Sequence, residues 1–525
     1  MAATSHDDKK VEYKSPAWVQ RWFLQRSRDN WKKKYMQLKT DSKRLQNRVN
    51  DVTKSRKQWC DETKRLNLCV QELNDENAAL QEQLAAFKKM DSTRELDLRD
   101  DEPPGGHGYG VSTISLFLRL VLEAGVSLRG VPRVLAVIAE AFGLPLEIPN
   151  WTTGRLWLLR LGLGLLSLPL KKADDWAWLT DHSVQIGPEK CLVILGIRLR
   201  DLPLAGKCLQ HQHMHLIALV PSRSWTGQDV DVAFEQATKR TGVPRVIIDD
   251  HGSDLHGGVK LFQERHADTA EIYDAKHKAA CLLKHRLEKE PRWQEFQTHL
   301  GQTRCAIQQT ELAFLVPPAS KPKARFMNLE PQLAWAEGVL KVLHHPPAAV
   351  QQWASPERVQ EKLGWLQEFA DPVAEWSEWQ QVVNLTVEFV GRQGVCRGAA
   401  KALGKDLPRK YTHSSSAELA AELTAFVATQ EKQTKRGERF PGSTEVLESC
   451  FGKMKQLEKQ QARGGFTSLV VSFGALLAEA TTEIVNATME HSRTKDVYEW
   501  CKEHLGTTLF GKRKIAFAEG ATKVR

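Results

Sequence analysis

At 525 residues and 59.3 kDa the chain is too long for one hydrophobic core, so about two to four domains are expected. A 41% hydrophobic and 26% charged composition excludes a wholly disordered or fibrous protein, and a net charge of +10 favours a polyanionic partner. Nine cysteines, an odd number with no CxxC pair and no closely spaced His and Cys set of zinc type, do not describe a disulfide framework or a zinc module.

The start, MAATSHDDKKVEYK, is polar where a secretory leader needs an apolar centre, so a cytoplasmic protein is expected. From Trp31 an apolar residue recurs every seventh position: Leu38, Leu45, Val52, Trp59, Leu66, Leu73, Leu80 and Phe87. The companion series Tyr35, Ser42, Val49, Arg56, Thr63, Val70, Asn77 and Leu84 is apolar only in part, and becomes firmer from Val70. This predicts a basic coiled coil over 1–90 that makes a homodimer or higher homo-oligomer, with Asn77 fixing register, or else a long helix folded back on the protein. Residues 91–110, ending DDEPPGGHGYG, read as a linker.

Three helical segments follow over 111–170, with Ser127 as an N-cap, Gly143 as a stop, and Asn150 or Thr152 to Thr153 as caps of the third. A helical bundle is the reading preferred here; a helix-turn-helix variant would put Arg155 and Arg160 near DNA. The apolar run Leu156 to Leu170 contains Arg160 and ends near Pro169, so it predicts a buried helix and no membrane span. From Trp176 the texture becomes β-rich. WAWLTDHS, CLVILGIRL and HMHLIALVPS are strand candidates, QDVDVAFEQATKRTG a helix from Asp229 to Gly242, and PRVIIDDHGSDLHGG a buried strand entering a polar turn. GVKLFQERH is a further helix and AEIYD a fifth strand. The order β-β-β-α-β-α-β is that of an RNase H-like mixed sheet. A helical, Trp-rich stretch over 282–440 follows, in which Trp335, Trp353, Trp365, Trp376 and Trp379 are read as core and VPPASKPKA as an exposed break. STEVLESCFGKMKQLEKQ restarts a helix with Ser443 or Thr444 as N-cap, and 511–525 is a basic tail.

Two-metal phosphoryl transfer needs carboxylates converging on two divalent ions, and Asp and Glu suit Mg²⁺. Asp181 ends the first strand candidate and Asp250 the fourth, which an RNase H-like order makes neighbours. Asp249 should face the other way by strand alternation. LTDHS, IIDDHGSDL and EVLESCFGKMK together resemble the DDE transposases of bacterial insertion sequences over roughly residues 176–460, and Glu448 with Lys455 repeats the Glu-x6-Lys spacing of one subgroup. The Tyr and Arg that this subgroup carries upstream of the Glu are absent, Thr444 standing four residues before Glu448, and His251 replaces the Asn after the second Asp. The interval from Asp250 to Glu448 looks like the helical insertion some of these enzymes carry.

The resemblance implies a catalytic and metal-binding triad of Asp181, Asp250 and Glu448, two Mg²⁺ or Mn²⁺ ions, and DNA contacts from Lys453 and Lys455 beside Arg155 and Arg160. The catalytic core would comprise 171–281 and 441–510, the substrate would be double-stranded DNA at element ends and target, and the setting bacterial and nucleoid-associated. Glu445 and Asp274 are rival acids, and His182, His251 and His277 are candidates near a scissile phosphate. Two other functions share the same features: an RNase H-like nuclease that does not join strands, and a non-catalytic coiled-coil DNA-binding relic.

Overall fold

The computed structural model describes residues 15–91, 101–186, 189–319, 329–460 and 467–521. It divides into two compact units, residues 1–96 and 97–525. The described part of the first unit is one helix, α1 (Ala17–Asp91). Its apolar heptad residues lie in the open: Trp31, Leu38, Leu45, Val52 and Trp59 are all exposed, as are Tyr35 and Val49 of the companion series. The side chains of Leu66, Val70, Leu73, Asn77, Leu80, Leu84 and Phe87 lie outside the described residues.

The second unit opens with α2 (Val111–Leu122), α3 (Val131–Phe142) and α4 (Trp151–Ser167). Asn150 caps α4 by accepting from Thr152 N, and Gly143 stops α3 in the left-handed region at φ 60°, a conformation glycine adopts without steric cost. Ser127 is not the cap of α3. Its hydroxyl accepts from Gly130 N in the preceding turn, and the helix begins at Val131. α4 is apolar on nearly every side because it is surrounded: it packs on the 3₁₀ segment Ser468–Leu476, on α2 and on later helices. At that crossing a Cβ on Gly162 would meet Val471 O at 2.2 Å, so only glycine permits the approach.

Then come β1 (Trp176–Ile186), β2 (Glu189–Arg198), β3 (His215–Ser222), α5 (Gly227–Thr241), β4 (Val246–Asp249), α6 (Ser253–Arg265) and β5 (Ala270–Tyr273). They build a five-stranded mixed sheet in the order β3-β2-β1-β4-β5, antiparallel across β1, β2 and β3 and parallel across β1, β4 and β5. Thr226 and Asp229 form a reciprocal capping box, so α5 starts two residues before Asp229. β1 continues five residues beyond Asp181, which places that residue within the strand instead of at its end; Asp250 is one residue past β4.

Alternation sorts the sheet into two faces. Trp176, Trp178, Ile194 and Ile247 pack with Val230, Phe234, Val259 and Phe262 of α5 and α6. Ala177, Leu179, Val193, Leu195, Val246 and Ile248 face the larger helical core.

That core is supplied by α7 (Ala275–Glu288), α8 (Pro291–Ile307), α9 (Glu330–His344), α10 (Ala348–Trp353), α11 (Pro356–Leu363), α12 (Ala370–Gln393), α13 (Ala399–Asp406) and α14 (Ser414–Glu431). β6 (Val395–Cys396) and β7 (Arg439–Phe440) form a small antiparallel pair before α15 (Glu445–Lys459). α16 (Thr482–His491), α17 (Thr494–His504) and α18 (Leu509–Ala521) close the chain, so most of the basic tail is helical. Trp376 and Trp379 are buried and Trp335 and Trp365 pack partly, whereas Trp353 is exposed against Phe314. Among the described residues no helix is long and apolar enough to cross a membrane.

Candidate active site

The parallel ladder sets Ala177 against Val246, Trp178 against Ile247 and Leu179 against Ile248. Two further steps bring Asp181 level with Asp250, and both share the face of Leu179 and Ile248. The β4–β5 ladder pairs Asp249 with Tyr273, so one more step brings Asp250 level with Asp274. Three aspartates thus form a row across β1, β4 and β5.

Their neighbours differ. Asp181 Oδ1 accepts from His182 N at 2.6 Å, and Asp250 Oδ1 accepts from Gly252 N at 2.8 Å in the turn that starts α6. Asp274 is fully buried and fully engaged: Oδ1 accepts from Lys276 N and His277 N, capping α7, while Oδ2 accepts from Thr444 N at 2.8 Å and from the Thr444 hydroxyl. Asp274 therefore ties the start of α7 to the start of α15, and Ala275 N donates to Gly442 O beside it. This clasp brings α15, distant in sequence, onto β1. Thr444 serves it four residues before Glu448.

Glu448 sits in the first turn of α15 and meets Lys276 of α7, Nζ to Oε2, at 2.7 Å; Glu445 lies 3.5 Å from the same ammonium. Burial works against the Lys276 charge, but Glu448 and Glu445 hold its pKa above the ordinary value. Burial, then the charge of Asp250, then those of Glu448 and Asp274, push the Asp181 carboxyl up to about 8, against the backbone bond from His182. The three acids of the sequence-derived triad are brought into one electrostatic neighbourhood. With Asp274 occupied by its clasp, the donors that remain are hard carboxylate oxygens from three elements, a set that fits a divalent cation of the Mg²⁺ or Mn²⁺ kind.

The histidines divide by face. His277 Nε2 lies 3.8 Å from Asp250 Oδ2, beside the acids. His182 points to the other face, where its Nε2 is 3.1 Å from Asp254 and its ring packs against Trp225; burial lowers its pKa. His251 also turns away, stacking on Tyr273. Asp249 is fully buried on that same far face, its pKa well above the usual range through burial and then the charge of Glu271.

The basic candidates separate too. Lys455 is exposed on α15, and Lys453 is half-buried with Nζ 3.1 Å from His211 Nε2. Arg155 donates to the Ser468 hydroxyl at 2.7 Å, and burial lowers its pKa. Arg160 corrects the expectation of a DNA contact: it is buried, with its guanidinium donating to Ser492 O at 2.6 Å and Met489 O at 2.5 Å. It satisfies the C-terminal carbonyls of α16 and the residue after it, a structural task.

Sequence reasoning missed Lys276 and the role of Asp274 with Thr444. Only the juxtaposition of α7 and α15 reveals them. Compared with known families and curated proteins, the chain matches no family model and no curated protein.

Proposed function

We propose that this protein is a DDE-type transposase with an RNase H-like core, which cleaves double-stranded DNA at element ends and joins the freed 3′ end to target DNA. The observation that carries the reading is the level placement of Asp181 and Asp250 on adjacent parallel strands, with Glu448 delivered to the same face by α15. The strand order, with three antiparallel strands followed by two parallel ones joined through helices, supports the same fold.

Asp181, Asp250 and Glu448 would hold the two Mg²⁺ or Mn²⁺ ions. When bound, those ions activate the attacking oxygen and stabilise the leaving oxygen of an in-line displacement. The chain's own residues do the rest. Asp250 is fixed by its turn and His277 beside it is in place to exchange a proton near the scissile phosphate. Lys455 lies seven residues beyond Glu448, about 10.5 Å along the helix, where it can neutralise a neighbouring phosphate, with Lys453 beside it. The exposed heptad stripe of α1 supports a dimer that holds two DNA ends, in a nucleoid-associated setting.

The test is metal-dependent cleavage and joining on DNA carrying the flanking ends of the encoding element. Losing an ion worth ~4 kcal/mol of charge stabilisation slows reaction ~10³-fold, and that is the expectation for Asp181→Asn, Asp250→Asn and Glu448→Gln, with DNA binding retained. Lys455→Ala instead weakens binding and flattens its salt dependence. Cleavage without joining makes the protein a nuclease. Full activity in all three carboxylate variants overturns the enzyme reading.

A further inference from the structure

A second cluster lies on the opposite face of the sheet. Glu271 of β5, His256 of α6 and His251 of the turn between β4 and α6 bring their ligating atoms within 4.8 Å of one another. His256 Nδ1 is 2.6 Å from Glu271 Oε1 and His251 Nε2 is 3.4 Å from the same oxygen, while Lys260 Nζ takes Oε2 at 2.8 Å. Sequence spacing hides the group, because His256 and Glu271 belong to different elements.

Two features set it apart from a chance cluster. Asp249 lies on the same face of the neighbouring strand, fully buried, and its Oδ2 has no hydrogen-bond partner among the described residues. Lys260, already on Oε2 of Glu271, shows that this buried carboxylate draws positive charge on the face where Asp249 also lies. His251 is also the only non-glycine residue at positive φ among those described, at 56°, and that conformation directs its ring onto Tyr273, 4.1 Å away and nearly parallel, next to His256.

We propose that His251, His256 and Glu271 bind a divalent transition-metal ion of the zinc type, with a water as fourth ligand, at a site separate from the Asp181 face. Zinc bonds of ~2.0 to 2.1 Å place tetrahedral ligand atoms ~3.4 Å apart. The His251–Glu271 pair already has that spacing. His256, whose side chain is 39% exposed, needs to swing outward by only ~0.8 Å. Imidazole favours zinc, cobalt and nickel, whereas an all-carboxylate set favours magnesium and manganese, so the two faces sort their ions by chemistry. The ion ties β5 and α6 to the turn that follows Asp250, and so fixes that turn. The proposal stands whether or not the chain is a transposase.

The test is a Co²⁺ titration of the full-length, chelator-stripped protein, read by the visible absorption of tetrahedral cobalt and by displacement with Zn²⁺. One equivalent should give the band. His256→Ala and Glu271→Gln should each weaken Co²⁺ binding by at least ~10²-fold, since even residues that only support a ligand cost 10- to 100-fold. Asp181→Asn and Asp250→Asn should leave the band intact. Circular dichroism checks that each variant folds, and His251→Ala provides a further ligand deletion should one fail. No band in the wild type, or a band that survives His256→Ala and Glu271→Gln and is lost in Asp181→Asn, overturns the proposal.

Discussion

Asp181 reverses the usual pH behaviour of a structural carboxylate. Its folded pKa of about 8 lies above the unfolded value near 3.8, so the folded state binds the extra proton between these limits. Its contribution to stability is complete below pH ~4 and is lost as pH rises towards 8. The thermal midpoint of chelator-treated protein should therefore fall through this window, and Asp181→Asn should flatten the fall and raise the midpoint at pH 8. Adding Mg²⁺ should also flatten it, by favouring the ionised carboxylate. An equally steep fall in Asp181→Asn would place its origin elsewhere. Lys276 makes the opposite kind of prediction. Its ammonium now neutralises Glu448, and a pair that is only partly exposed contributes about 1 kcal/mol. Lys276→Ala frees that carboxylate and should tighten Mn²⁺ binding about fivefold in calorimetry, whereas Glu448→Gln should weaken it. Weaker Mn²⁺ binding in Lys276→Ala would mean that the lysine orients the glutamate productively.

At the scale of elements, the site depends on how two helices are anchored to the sheet. The Asp274 clasp holds α7 and α15 together, and α4 supports the layer behind them by packing on the 3₁₀ segment that follows α15. Gly162 is the contact that sets this crossing, with Gly474 opposite it at similarly close range. Alanine in a helix ordinarily stabilises by ~1 kcal/mol relative to glycine. Here a Cβ at 2.2 Å from Val471 O forces the elements apart, so Gly162→Ala should instead cost about 1 to 3 kcal/mol in a denaturant titration. A stabilised variant would show that the crossing is loose. The apolar run that forms most of α4 was legible as a buried helix because its length and its arginine exclude a membrane span. Its glycines were not legible as packing devices, because their partners, Val471 for Gly162 and Thr488 for Gly164, lie far along the chain.

For the whole molecule, the exposed apolar stripe of α1 predicts association. Deleting residues 1–90 should lower the mass in light scattering to that of a single chain, and leave the unit from Asp97 to Arg525 folded. An unchanged mass would assign oligomerisation to the second unit. Periodicity and cap chemistry are local, so the five strands, the helices between them and the stop at Gly143 were legible along the chain, and connection rules made the strands that carry Asp181 and Asp250 neighbours. The sequence also separated Asp249 from Asp250, since alternation alone assigns their faces. The burial of Arg160, the Asp274 clasp, the meeting of Lys276 with Glu448 and the convergence of His251, His256 and Glu271 came from the packing of elements instead. Each of those outcomes depends on which elements lie against each other, and a residue's spacing along the chain carries no record of a neighbour supplied by another helix or strand.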